Sequence, residues 1–325
     1  MTRYVKKDRR DCGKIPFCLP FEWTPVIMPH TLHQSLTRIT LIALLLLFSG
    51  CSMLRLGYDN GPQMVWWWLD GYVDFSREQA PHAKHAIHQW FGWHRANQLP
   101  EYADWLAAIR SRVDGPLTPE QVCSWSDELQ TIIAPAFDHA AHFGTPVALR
   151  LGEAQWRHLE KRYAKSNEEL REDFLQPDPE DRLRAAIKRT VKRVENLYGD
   201  IDKTQRRLII DSLEASPFNP EAWLTERQRR QQETLRTLRQ LAAESAAPEL
   251  ATASLRKLIA HTHRSDDPDY RAYQIKLSEH TCGFIARMHN STTPAQRQHA
   301  HDKLKGWETD FRALMMDNRV QTALE

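Results

Sequence analysis

Apolar side chains recur at helical spacing through almost the whole chain after Cys51, and this periodicity constrains the fold more than any other feature. Stripes of this kind run through residues 153–175, 179–198, 268–289 and 294–316. Apolar positions three or four residues apart form one face of an amphipathic helix, and no stretch alternates as a half-buried strand would. The sequence therefore predicts an all-α fold, a single multi-helix bundle-like domain of about nine or ten helices.

Several predicted helices begin with the same local signature, a capping residue followed three positions later by Gln. The signature occurs at 117–121, 201–205 and 292–296, and in a weaker form at 152–155, where Gly152 has no side-chain acceptor. Such a capping box satisfies two backbone N–H groups that the first helical turn leaves free. Residues 144–152 and 214–220 are predicted to be loops, and a polar helix is predicted from Pro220 to about Ala243.

The apolar run from Ile39 to Phe48 is too short for a membrane-spanning helix, which needs about 20 residues. It follows Arg38 and has the length of the hydrophobic part of a secretory signal peptide. The run ends in Ser49-Gly50-Cys51, which resembles the bacterial lipobox, although Phe48 stands where Leu is usual. The sequence predicts cleavage between Gly50 and Cys51 and lipidation of Cys51. The alternatives are an ordinary secretory signal and a buried core helix.

These signals divide the chain into a leader, residues 1–50, and a helical periplasmic domain, residues 51–325. Within the leader, 28–50 is the expected signal peptide, and 1–27 is expected to be an upstream extension of the true start or a disordered segment, with a long n-region as the alternative. Residues 247–325 are a candidate sub-bundle. Ser52, which is not Asp, favours the outer membrane as the destination. Two acyl chains and an acylated amino terminus would anchor the protein to membrane lipid stably.

Two cysteines, Cys123 and Cys282, remain in the body once the leader and Cys51 are set aside. In an oxidising compartment such a pair is a candidate disulfide. Two buried free thiols are the alternative.

The formal net charge is only +2, and the leader carries more basic than acidic residues, so the body is close to neutral. A near-neutral body has no general electrostatic attraction to a polyanion. Nucleic acid is therefore not an expected partner.

Trp66, Trp67 and Trp68 are consecutive and Tyr72 follows one turn later. Three consecutive indoles point in three directions around a helix, so at least one is expected at a surface or groove. One interpretation is a docking patch for lipid headgroups, a glycan or an envelope protein. The other is a short buried central helix whose indoles pack on Trp90, Trp93 and Trp105.

The histidines of 82–94 and 139–142 recur at spacings that allow shared metal ligation, but a solvated face is the favoured interpretation and neither a metal nor a cofactor is predicted. No GxSxG elbow, P-loop or dinucleotide turn is present, and no catalytic residue is assigned. Two basic helix faces, in 182–193 and 227–239, are interpreted as solvated.

Several stretches resemble an uncharacterised family of helical proteobacterial lipoproteins: 58–60, 67–72, 90–94 with 98–102, 162–167, and 173–177 followed by Arg182. The resemblance implies a helical, lipid-anchored envelope protein and brings no activity. Leu117 to Gln121 also resembles the LTxxQ motif of helical periplasmic chaperones, although a plain capping box explains it as well. We therefore expect a non-enzymatic binding or scaffolding lipoprotein, with an LTxxQ-type chaperone and a cell-wall lytic enzyme as alternatives.

Overall fold

A computed structural model describes residues 53–322, with side chains through Met316, and every element in this range is helical. The twelve α-helices are α1 Met53–Asp59, α2 Gly61–Val73, α3 Gln79–Trp93, α4 Leu99–Arg112, α5 Pro119–Ala148, α6 Glu153–Phe174, α7 Pro179–Tyr198, α8 Lys203–Glu214, α9 Pro220–Ala243, α10 Pro248–His263, α11 Pro268–Asn290 and α12 Pro294–Thr322. A π-helical segment, His94–Gln98, joins α3 to α4. The all-α prediction is confirmed, with a few more helices than the expected nine or ten.

All described residues belong to one compact unit. The predicted leader, the cleavage site at Gly50 and the lipidation site at Cys51 lie outside the described residues. No helix within 53–322 combines the length and the apolar character that crossing a bilayer requires.

The predicted capping boxes form at the starts of α5, α8 and α12. In α5, Thr118 Oγ1 accepts from the N–H of Gln121 at 3.3 Å, and Gln121 Oε1 accepts from the N–H of Thr118 at 2.8 Å. Asp202 with Gln205 and Thr293 with Gln296 make the same reciprocal pair. At Gly152 only the bond from its N–H to Gln155 Oε1 is made, at 3.1 Å, because glycine offers no side-chain acceptor.

The loop predicted for 144–152 is wrong over its first half, because α5 continues through Gly144 and Pro146 to Ala148. Thr145, fully buried, donates to the carbonyl of Ala141 and contacts Thr252 Oγ1 of α10, both at 2.8 Å. These tertiary contacts outweigh the one backbone hydrogen bond that Pro146 removes near the helix end. The loop predicted between α8 and α9 forms, since α8 ends at Glu214 and α9 starts at Pro220.

The last three helices do not pack as the sub-bundle expected for 247–325. The last helix, α12, packs chiefly on α4 and also contacts α1 and α7, whereas α10 and α11 both lie against α5. Their apolar faces are therefore buried by helices from earlier in the chain. Leu304 of α12, for example, joins a core with Leu106 and Ile109 of α4.

Candidate functional site

Trp66, Trp67, Trp68 and Tyr72 all lie on α2, but they differ in solvent exposure. Trp67 and Trp68 are 65% and 61% exposed, and we call these two residues the indole face. Trp66 is half-buried and stacks on Phe75 with ring centroids 5.6 Å apart, while Lys84 Nζ lies 4.7 Å from the Trp66 ring centroid. Tyr72 is half-buried and packs against Tyr163 at 6.3 Å. Two of the four residues of the predicted docking patch are therefore exposed.

The alternative, a helix buried on all sides with its indoles on three other tryptophans, is wrong for the indole face. Trp90 instead stacks on His94 at 4.5 Å, and Trp93 stacks on His139 at 3.7 Å. Trp105 packs beside Leu106 in the core of α4 and α12. Each of these three indoles contacts a different partner, and Trp67 and Trp68 remain largely exposed to solvent.

The inner side of α2 faces an apolar pocket of about 380 Å³ between α2, α3 and α5. Its walls include Val65, Leu69 and Val73 of α2, which recur every four residues and so share one helix face. Opposite them lie Ile87, Trp90 and Phe91 of α3, and Phe143, Gly144 and Val147 of α5. The volume falls within the range typical of small-molecule sites.

The pocket is lined almost entirely by hydrocarbon groups. None of the described residues that line it carries a charge. Trp90 is the lining residue whose side chain has a hydrogen-bond donor. Its indole Nε1–H, however, already donates to the carbonyl of Ala136 at 2.8 Å. A ligand with hydrogen-bonding groups inside this space would leave them unsatisfied, which costs free energy. The pocket therefore suits an apolar chain and not a polar metabolite.

A close approach between α2 and α3 shapes one end of this region. Gly61, buried at the first turn of α2, lies against the ring of Phe91, where an added Cβ would be only 2.6 Å from Cε1. A larger residue at position 61 would require the Phe91 ring to move. Glycine lets this ring pack directly on the first turn of α2.

Next to the pocket, a buried histidine sits at the start of the π-helical segment. His94 Nδ1 lies 2.9 Å from the hydroxyl of Tyr58, and the ring also contacts Trp90 and Tyr102. Burial lowers the pKa of His94 to about 4 and raises the pKa of Tyr58 to about 12. At neutral pH the imidazole is therefore uncharged, and an unprotonated Nδ1 accepts a hydrogen bond from the Tyr58 hydroxyl, which keeps its proton. Short π-helical segments often mark functional positions.

The stretches that resemble the lipoprotein family meet in space. Tyr58, Trp90 and Tyr102 come from three of them and all contact His94. In a second group, Arg162 lies 4.8 Å from the ring centroid of Tyr72. The sequence pattern does not predict the first cluster, because Tyr58 lies 36 positions from His94 in the chain.

Cys123 of α5 and Cys282 of α11 are joined as a disulfide, with Cα atoms 5.5 Å apart. Cys282 is only 3% exposed and packs with Leu117, Val122 and Ala286. The bond links residues 159 positions apart and so closes more than half of the domain into one loop.

The same region accounts for the LTxxQ resemblance. Leu117 is buried against the disulfide, and its N–H donates to Asn290 Oδ1 at 2.8 Å. Thr118 and Gln121 form the helix cap described above. Each of the three motif residues thus has a structural task in this fold.

The histidines at 82, 85 and 88 are exposed on α3, as a solvated face would be. A different set, Glu233, His261 and Asp266, brings one metal-ligand atom each within 4.8 Å. Arg229 lies among them, with Nη2 at 2.5 Å from Asp266 and Nη1 at 3.8 Å from Glu233. Its guanidinium supplies the positive charge that a metal ion would otherwise bring. We therefore interpret Glu233, His261 and Asp266, together with Arg229, as an ion-pair network.

Glu226 is the buried glutamate of the described residues, at 4% exposure. Burial acts to raise the pKa of Glu226, but hydrogen bonds from Arg229 and Ser265 keep that pKa below its usual value. A glutamate that donates a proton in glycan cleavage needs a raised pKa. Glu226 consequently does not have the character of a lytic acid.

The second basic helix face is largely engaged within the domain. Arg227 donates to Asn167 and Ser166, and Arg239 Nη2 lies 2.8 Å from Glu160. These contacts tie α9 to α6. On α7, in contrast, Arg184 pairs with acids of its own first turn, Glu180 and Asp181, on an exposed surface.

Together these features define an all-helical, disulfide-linked domain with an exposed aromatic N-terminal face and an apolar pocket. DUF6279, a family of unknown function, matches residues 71–271, which is more than half of the chain. The chain belongs to this family, which confirms the expected membership of an uncharacterised family. No curated protein and no solved structure matches the chain.

Proposed function

We propose that the protein is a lipid-anchored component of the bacterial envelope that binds another envelope component and does not act as an enzyme. One observation carries the proposal: the apolar run 39–48 leads directly into Ser49-Gly50-Cys51. A leader would end there with an acyl acceptor directly after it, and the helical domain that the structure describes from Met53 onward would be the exported part. Acylated Cys51 would hold the domain at the periplasmic face of the outer membrane.

The disulfide supports this location. Cys123 and Cys282 are bonded in the folded domain, and such bonds persist in the periplasm but are rare in the cytosol of bacteria. An exported protein would form the bond after crossing the inner membrane. The disulfide therefore supports export independently of the predicted leader.

The indole face supports binding as the activity. Trp67 and Trp68 are exposed near the start of the domain, in the part of the chain closest to the anchor. Exposed tryptophans are enriched at protein interfaces and at membrane–water boundaries, because the indole combines a large apolar ring with one hydrogen-bond donor. Candidate partners are lipid, a glycan and an envelope protein, and nucleic acid is not among them.

The proposal is tested by fractionating bacterial cells that express the full chain or its Cys51→Ala variant. We expect the wild-type protein in the membrane fraction, resistant to high salt, and a large share of the variant in the soluble or unprocessed pool. The Ser52→Ala variant is the matched control, since it changes the neighbouring residue but leaves the acceptor cysteine intact. Equal, salt-resistant partitioning of the Cys51→Ala variant would refute lipid anchoring.

A further inference from the structure

We infer that the apolar pocket between α2, α3 and α5 is a binding site for an acyl chain of a membrane phospholipid. The inference rests on the proposed membrane location and adds a ligand class to it. The pocket is walled by aliphatic and aromatic side chains, among them Leu69, Ile87 and Phe143. The pocket opens to solvent, and its almost entirely apolar walls favour an apolar ligand over a polar one.

The size of the pocket fits part of one hydrocarbon chain. Its volume is about 380 Å³. A methylene group needs roughly the volume of a liquid water molecule, ~30 Å³, so the pocket has room for about a dozen methylenes.

The border of the pocket carries the groups that a phospholipid would meet next. Phe75 lines the pocket and stacks on Trp66, and Lys84 Nζ lies 4.7 Å from the Trp66 ring centroid. Lys84 is exposed and therefore able to contact an anionic phosphate. The site thus has apolar walls inside, an aromatic ring at its edge and a cation beyond that ring. A phospholipid would meet them in the same order, with its acyl chain inside and its phosphate near the cation.

The anchor would bring the pocket to the membrane. Met53, the first described residue of α1, is the second residue after Cys51, and the seven described residues of α1 span about 10 Å. Val65, the first pocket residue in the chain, is therefore within roughly 30 Å of Cys51. The chains attached to Cys51 must themselves remain in the bilayer to anchor the protein, so a separate lipid is the occupant that the geometry favours.

Gly144 permits a specific test, because it lines the pocket and a Cβ built there meets no atom within 4 Å. Gly144→Leu should place a side chain in the pocket, with open space around its Cβ, and leucine favours helix over glycine. Gly306→Leu is the matched control: it too lies inside a helix, in α12, with nothing within 4 Å of the added Cβ. Circular dichroism and the intact disulfide would verify that both variants fold.

The experiment uses the full chain in bacterial cells grown with a fatty acid that carries a diazirine and an alkyne. After ultraviolet irradiation, adducts are mapped on peptides by mass spectrometry. We expect light-dependent phospholipid adducts on peptides of α3 or α5, reduced severalfold in Gly144→Leu and unchanged in Gly306→Leu. Label on the Cys51 peptide needs no light, so it reports the anchor separately.

Three outcomes would overturn the inference. One is a wild-type protein labelled at Cys51 but without light-dependent adducts in the pocket, which would leave the proposed anchoring intact. Another is a crosslink that joins the pocket to the Cys51 peptide, which would show that the anchor's own chain occupies the site. The last is adducts confined to the peptide surface around Trp67 and Trp68, which would indicate contact with the membrane surface only.

Discussion

Gln205 and Gln296 exchange two hydrogen bonds between the first turns of α8 and α12, with Nε2 to Oε1 distances of 2.7 and 2.9 Å. Each is also the glutamine of a capping box, so its Oε1 accepts from the N–H of Asp202 or Thr293. Two helix starts that are distant in sequence are thereby locked to each other. Gln205 is 1% exposed, so little water is available to replace these partners.

Replacing Gln205 by Ala should lower the free energy of unfolding by about 2–3 kcal/mol, because it leaves buried partners without hydrogen bonds. Gln121→Ala is the matched control. It removes the same capping glutamine from α5, where the residue is exposed and bonds only to Thr118, and it should cost at most about 1 kcal/mol. Urea unfolding would measure both, and equal losses would show that the paired amides add nothing.

Stability should fall as the pH drops from about 6.5 toward 4 because of His94. Burial lowers its pKa to about 4 in the folded state, whereas an unfolded histidine titrates near 6.5. In this window the unfolded chain binds the extra proton, so acid favours unfolding, with a contribution of about 3 kcal/mol. Above pH 6.5 the contribution is fully present.

The measurement is the midpoint of urea unfolding as a function of pH for three proteins. His94→Gln should show a flatter dependence than the wild type between pH 4 and 6.5. His85→Gln, at an exposed position of α3, should retain the wild-type dependence. A wild-type slope that survives in His94→Gln would contradict the assignment.

Reducing the disulfide should destabilise the domain without changing its helical content under native conditions. Closing a loop of this length limits the unfolded chain, and such bonds contribute about 2–5 kcal/mol. Wild-type protein in reductant and the Cys123→Ser/Cys282→Ser double variant should therefore unfold at similar, lower urea concentrations. Full alkylation of both thiols in oxidised, unreduced protein would show that the bond is absent.

The indole face should lie at the lipid boundary when the lipoprotein is reconstituted in vesicles. Brominated phosphatidylcholine quenches indoles that approach the acyl region, so part of the tryptophan fluorescence should be lost. Part of that quenching should vanish in Trp67→Phe/Trp68→Phe, while Trp90, which lines the pocket, should keep the rest. It should remain in Trp105→Phe/Trp307→Phe, which removes two partly buried indoles. Equal quenching in both variants would place the membrane contact elsewhere.

Local chemistry made the helices predictable. The start of α7 at Pro179 follows the Asp178 cap, and its end at Tyr198 precedes Gly199, whose φ is +77°, a conformation that glycine adopts without strain. Periodicity and caps act within a few residues, so the sequence reports them directly. The end of α5 escaped prediction because burial of Thr145, a tertiary contact, overrides the local signals of Gly144 and Pro146.

The site was predictable only in part, for the same reason. That at least one indole of Trp66–Trp68 is exposed follows from helix geometry, but which of them is exposed depends on Phe75 and the other helices. The pocket could be anticipated only through the four-residue spacing of Val65, Leu69 and Val73. Its other walls come from α3 and α5, and no sequence pattern specifies that these helices leave space between them.

The most direct test of the account is the mass of the amino-terminal peptide of the mature protein purified from bacterial membranes. The account predicts a chain that begins at Cys51 and carries a thioether-linked diacylglyceryl group with an acylated amino group. A chain that retains residues before Cys51, or one that begins at Cys51 with a free thiol, would contradict it.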